Sequence, residues 1–101
     1  MARPYNDTHY RRGWAFVMQE RWSEALGEFE RISGTLSKPS IQAFSIFNHC
    51  LALAHLGRFE EAQAMLRACP EGTWPPNLQP SVVQLEQYVA HKSPNAPRPV
   101  H

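Results

Sequence analysis

The histidines and cysteines are the side chains of this sequence best suited to metal binding or nucleophilic catalysis. There are five His and two Cys. His49 and Cys50 are adjacent and cannot face one point on a helix, whereas His49 and His55 are six residues apart and lie on different helix faces. Cys50 is therefore better interpreted as a small core residue than as a nucleophile activated by His49. Nothing resembles a Walker loop, a dinucleotide-binding glycine motif or a nucleophile elbow. We predict no metal site, no cofactor and no enzymatic activity.

A short basic and aromatic cluster is the second group that could do chemistry. Arg11 and Arg12 lie between Tyr10 and Trp14, and such a cluster could stack unpaired bases. The formal net charge is only +1, however, and no basic stripe occurs elsewhere. We therefore predict binding to neither nucleic acid nor an anionic membrane. The apolar runs are far shorter than the roughly 20 residues of a membrane span, so we expect a soluble, cytoplasmic protein.

One pattern of residues occurs twice, 37 residues apart. Residues 21–29 (RWSEALGEF) align with residues 58–66 (RFEEAQAML), and the Arg, Glu and Ala of the two segments are identical. The same offset pairs Gly13 with Cys50 and Phe16 with Leu53. Repetition at a fixed period of this length is typical of helical repeat proteins.

Each copy of the pattern predicts two helices. Apolar residues recur every three or four positions in both halves of each copy. The first unit spans 7–34, with a helix end near Ser33-Gly34, and the second spans 40–69. Residues 77–92 predict a fifth helix that Asn77 caps. Its apolar face consists of Val82, Leu85, Tyr88 and Val89, of which Val82, Leu85 and Val89 are expected to cover the second unit. Residues 1–6 are interpreted as an N-terminal arm, and the Pro-rich residues 93–101 as a disordered tail.

This pattern resembles the tetratricopeptide repeat family, because it has small residues at the helix crossings and an aromatic residue at the start of each second helix. The best match is residues 53–62, LAHLGRFEEA. The resemblance implies an all-α fold of two antiparallel helix pairs, a fragment of an α-solenoid, closed by the fifth helix as a cap. The offset of 37 exceeds the family's period of about 34, and Glu20 stands where the second unit has the turn glycine Gly57.

The family's geometry would line a concave groove with the first helix of each unit. The residues expected there are Tyr10, Trp14, Val17, Phe44, Phe47, Asn48, Leu51 and His55. A groove with so many large apolar side chains favours a covering surface, because their exposure costs about 25 cal/mol per Å². We therefore expect an interaction adaptor that binds an apolar or amphipathic segment of a partner protein.

Two alternatives remain at this point. The aromatic residues could be core, buried by the fifth helix or by the Pro-rich connector of residues 69–76. Alternatively, the groove or the open end of the array could form a homodimer. Some family members bind the C-terminal carboxylate of a partner with Lys, Asn and Arg side chains. Only Asn48 matches that set, so we predict no such carboxylate site.

The charged residues of the second helices are expected on a solvated outer face: Glu24, Glu28, Arg31, Glu61 and Arg67.

Overall fold

The computed structural model describes residues 7–32, 38–69 and 72–92. This part of the chain contains five α-helices and no strand, which confirms the all-α prediction. The helices are α1 (Asp7–Met18), α2 (Trp22–Glu30), α3 (Pro39–His55), α4 (Phe59–Ala68) and α5 (Gln79–Lys92). The predictions for the N-terminal arm and the Pro-rich tail concern residues outside the described ranges.

The turns that join α1 to α2 and α3 to α4 have the same backbone hydrogen bonds at the 37-residue offset. Arg21 N–H donates to the Phe16 carbonyl at 2.9 Å, and Arg58 N–H donates to the Leu53 carbonyl at 2.9 Å. The backbone angles of the two arginines are also similar, with φ −93° and ψ 74° against φ −91° and ψ 61°. The sequence repeat is therefore also a repeat of local structure.

Each helix packs against the next one in the chain, and α3 also contacts α1 and α5. The core is mostly aliphatic. Three of its small residues, Ala25, Cys50 and Ala62, are fully buried. Gly13 allows the closest approach: a Cβ there would lie 2.5 Å from the ring of Phe29. Of the four residues predicted on the apolar face of the last helix, Val82, Leu85 and Val89 are buried, whereas Tyr88 is 41% exposed.

Two helix ends differ from the sequence prediction. Helix α2 ends at Glu30, where the Arg31 N–H turns back to the Glu28 carbonyl at 3.1 Å; Ser33 and Gly34 lie outside the described residues. Helix α5 begins two residues after Asn77, so Asn77 does not cap it. The Leu78 and Gln79 amides instead donate to the Pro75 carbonyl at 2.9 and 3.2 Å, which forms the entry turn of the helix.

Candidate binding groove

A groove of about 390 Å³ lies between α3 and α5. We call it the α3–α5 groove. Its lining residues are Phe47, Leu51 and His55 from α3, and Ser81, Gln84, Leu85 and Tyr88 from α5. Three of the eight residues predicted from sequence therefore lie together, at spacings of four that place them on one face of α3. The floor is apolar, and His55, Ser81 and Gln84 supply polar groups.

The three predicted residues of α1 lie outside this groove. Tyr10 and Val17 are partly buried and pack against the core, whereas Trp14 is 47% exposed. Burial raises the pKa of Tyr10, so its hydroxyl is protonated at neutral pH. The three α3 residues of the groove have counterparts in the first unit at the 37-residue offset. These counterparts are Tyr10, Trp14 and Met18. Met18 is 66% exposed. It belongs to the apolar pattern of the first helix, but it was not among the residues predicted for the groove.

Phe44 and Asn48, the remaining predicted residues, are covered to different degrees. Phe44 is partly buried against the core, and Asn48 is only 6% exposed. Among the described residues the Asn48 amide has no hydrogen-bond partner. A buried amide without a partner is unfavourable by about 1–3 kcal/mol, so this position is not optimised for stability.

Aromatic contacts join each second helix to the helix that follows it. Trp22, the first residue of α2, stacks on His55 at the end of α3, with ring centroids 3.9 Å apart and planes 2° apart. Phe59, the first residue of α4, contacts Tyr88 near the end of α5 edge-on at 6.1 Å. Tyr88 is 41% exposed and borders the α3–α5 groove. Tyr88 was predicted on the apolar face of the fifth helix but not among the groove residues.

A second concavity, of about 720 Å³, lies between α2 and α4. We call it the α2–α4 cleft. Helices α2 and α4 both pack on α3 but do not contact each other, so α3 forms the floor. Charged residues border it: Glu30 on α2, and Arg58 and Glu61 at the start of α4. Sequence analysis did not indicate this cleft, because its walls come from helices that are distant in the chain.

The half-buried imidazole of His49 lies on the floor of the α2–α4 cleft. It stacks against the Phe29 ring with centroids 6.0 Å apart. Burial lowers the pKa of His49; Glu30 and Glu61 oppose this shift and Arg58 adds to it. Arg58 donates two hydrogen bonds to the Glu61 carboxylate, which lower the pKa of Glu61. His49 is therefore neutral at physiological pH.

Glu28 does not lie on a solvated outer face, so the sequence prediction for this residue is wrong. It is 7% exposed, and its carboxylate lies 3.3 Å from His9, 3.9 Å from Arg12 and 3.7 Å from Arg31. The sequence pattern indicated the i,i+3 partner Arg31 but not the two partners on α1. Two guanidinium groups and the His9 imidazole around one carboxylate make its burial tolerable.

Both cysteines are free thiols, and Cys50 is fully buried. Burial raises the pKa of Cys50 to about 12, with a smaller contribution from Cys69. Within the described ranges no three His, Cys, Asp or Glu side chains come together as a metal-binding group. No helix in the described part of the chain combines the length and apolar character needed to cross a bilayer.

Comparisons with protein-family models, with curated proteins and with solved structures found no match for this chain.

Proposed function

We propose that the protein is a small tetratricopeptide-like solenoid: two antiparallel helix pairs, α1–α2 and α3–α4, capped by α5. The repeated turn geometry at Arg21 and Arg58 supports equivalence of the two pairs. The contacts Trp22–His55 and Phe59–Tyr88 support a position of α5 equivalent to that of α3 in the array. An array of two repeats lacks the neighbours that a longer solenoid supplies, and a cap provides them.

We further propose that this solenoid is an interaction adaptor of the cytoplasm, which binds an apolar or amphipathic segment of a partner protein along α1, α3 and α5. The α3–α5 groove is the observation that carries the proposal. It has an apolar floor with polar groups at its edge, as protein-binding grooves commonly have. This function requires neither a cofactor nor catalysis, nucleic acid or a membrane.

Phe47 and Leu51 are the proposed anchors inside the groove, and Trp14 extends the apolar surface along α1. Phe47 and Leu51 are partly buried, so a partner side chain can cover the rest of their surface, whereas Trp14 offers nearly half of its own. Asn48 belongs to the proposed site as a buried amide whose hydrogen-bonding capacity is unused among the described residues. Large apolar anchors dominate the energetics of such interfaces.

Affinity capture followed by calorimetry tests the proposal. Wild-type protein and Phe47→Ala are used to capture partners from native lysate, and the captured partner is then titrated in purified form. We expect Phe47→Ala to weaken its binding by about 2 kcal/mol or more while circular dichroism stays unchanged. Val83→Ala is the matched control, because Val83 is 49% exposed on α5 but does not line the groove. Equal binding by both variants contradicts the proposed site, and unfolding of Phe47→Ala would make Phe47 a core residue.

Self-association is the second candidate, favoured by the exposure of Trp14 and Met18 on α1. Two copies could bury this surface around a twofold axis. Sedimentation at micromolar concentration distinguishes the candidates. A dimer that Trp14→Ala dissociates supports self-association, and a monomeric wild-type protein excludes it under those conditions.

A further inference from the structure

The α2–α4 cleft has the size of a small-molecule site. Its volume of about 720 Å³ lies within the roughly 300–1,000 Å³ typical of ligand pockets. The floor is one face of α3, with residues at helical spacing. These floor residues are Gln42, Ser45, Ile46, His49 and Leu53. Helix α2 forms one wall and α4 the other, so the cleft is distinct from the α3–α5 groove on the other side of α3.

The charges that border the cleft leave one carboxylate in excess. Glu61 accepts two hydrogen bonds from Arg58, so this pair is neutral overall. Glu30, on the opposite wall, has no ion-pair partner among the described residues. His49 between them is uncharged, since burial lowers its pKa. The cleft therefore attracts a cation rather than an anion.

Ser45 provides an independent indication of a ligand. It is only 5% exposed and lines the cleft, and its hydroxyl has no hydrogen-bond partner within the described ranges. A buried hydroxyl without a partner is unfavourable, and buried polar side chains are paired in the large majority of cases. A bound molecule with a hydrogen-bonding group would satisfy this hydroxyl.

Most of the remaining surface of the cleft is apolar, apart from the side chains of Gln42 and Thr73. Phe29 and Ile32 contribute from the α2 side, Leu53 from the floor, and Met65 and Ala68 from α4. Such walls favour a ligand with an apolar body over a hydrated inorganic cation, whose solvation they could not replace.

We propose that the α2–α4 cleft binds a small organic cation, an amine carried on an apolar body. The ammonium group lies near Glu30 and donates a hydrogen bond to the Ser45 hydroxyl, and the apolar body contacts Leu53 and Met65. This site is independent of the groove proposed for partner proteins, so either can fail without the other.

Titration of ¹⁵N-labelled protein with phenethylamine, and separately with 2-phenylethanol, tests the proposal. The two probes share an apolar body but differ in charge. We expect saturable amide shifts at Ser45, His49 and Met65 with the amine, and binding weaker by about tenfold or more with the alcohol. Glu30→Gln should weaken amine binding by a similar factor, whereas Glu86→Gln, which makes the same charge change on α5, should leave it unchanged.

Ser45→Ala provides a second variant, expected to weaken amine binding severalfold and to leave folding intact. The comparison of the two probes uses wild-type protein, so its result does not depend on whether any variant folds. Equal binding of amine and alcohol, the absence of saturable shifts at millimolar probe, or shifts confined to Phe47, Leu51 and Tyr88 would each overturn the proposal. Tighter binding of the blocked peptide Leu-Lys-Leu than of the amine would reassign the cleft to a peptide and also overturn it.

Discussion

Glu20 and Gly57 occupy the same position in two turns that are 37 residues apart, and both have positive φ angles, 57° and 78°. The amide of Glu20 donates to the Val17 carbonyl at 2.9 Å, and that of Gly57 to the Ala54 carbonyl at 3.1 Å. A side chain in this left-handed conformation costs roughly 1–2 kcal/mol, which glycine avoids. The first turn therefore carries a backbone strain that is absent from the second.

Glu20→Gly should raise the free energy of unfolding by about 1 kcal/mol, because it removes this strain at an exposed position. Gly57→Ala should lower it by a similar amount. Urea denaturation followed by circular dichroism measures both. A destabilised Glu20→Gly protein would contradict the turn geometry described for Glu20.

Gly13→Ala should destabilise the protein by about 1–3 kcal/mol, because the added methyl group would lie 2.5 Å from the Phe29 ring. Gly27→Ala is the matched control: it is also a helical glycine, but a Cβ there would meet no atom within 4 Å. We expect the control to stabilise by about 0.5–1 kcal/mol through helix propensity. Thermal unfolding compares the two, and an equal effect of both would argue against a close crossing at Gly13.

The stacked rings of Trp22 and His55 should couple by about 0.5–1.5 kcal/mol. A double-mutant cycle of Trp22→Leu and His55→Ala, measured by denaturant unfolding, isolates this energy. The edge-on pair Phe59 and Tyr88 gives the comparison, and its coupling should be smaller because the rings are 6.1 Å apart. If the two substitutions at Trp22 and His55 are simply additive, the stacking contributes nothing to stability.

Stability should rise with pH through the range in which His49 loses its proton. Burial places the pKa of folded His49 below its ordinary value of 6.5, so the unfolded chain binds this proton at a higher pH than the folded chain does. The contribution of His49 to the free energy of unfolding is fully present above pH 6.5. It is lost as the pH falls towards the pKa of His49 in the folded protein. His49→Gln should flatten this dependence in denaturation curves collected from about pH 5 to 8. Identical slopes for wild type and His49→Gln would contradict the assignment.

The helices were largely predictable from sequence, because apolar spacing reports which face of a helix is covered. The 37-residue offset also predicted that Arg21 and Arg58 stand at equivalent turns. The start of α5 at Gln79 was not predictable, since the Pro75 carbonyl accepts the entry hydrogen bonds in place of an Asn77 side chain. The burial of Glu28 was missed for a related reason: its partners His9 and Arg12 lie on another helix.

The candidate site was predictable only in part. Phe47, Leu51 and His55 follow from one helical stripe, and the structure places all three in the α3–α5 groove. The opposite wall depends on how α5 lies against α3, which spacing within one helix does not encode. Only the tertiary structure therefore identifies Tyr88 and Ser81 as residues that line the groove. The same holds for every feature of the α2–α4 cleft.

The buried thiol of Cys50 can be used to measure local unfolding of the protein. With a pKa of about 12 the thiol holds almost no thiolate at neutral pH, and no surface of it is reachable by an alkylating reagent. Labelling at this position therefore requires the helices around Cys50 to separate. The rate of modification by iodoacetamide, read by mass spectrometry and divided by the rate for an unprotected thiol, gives the population of open molecules when opening and closing are fast. The half-buried Cys69 serves as an internal comparison.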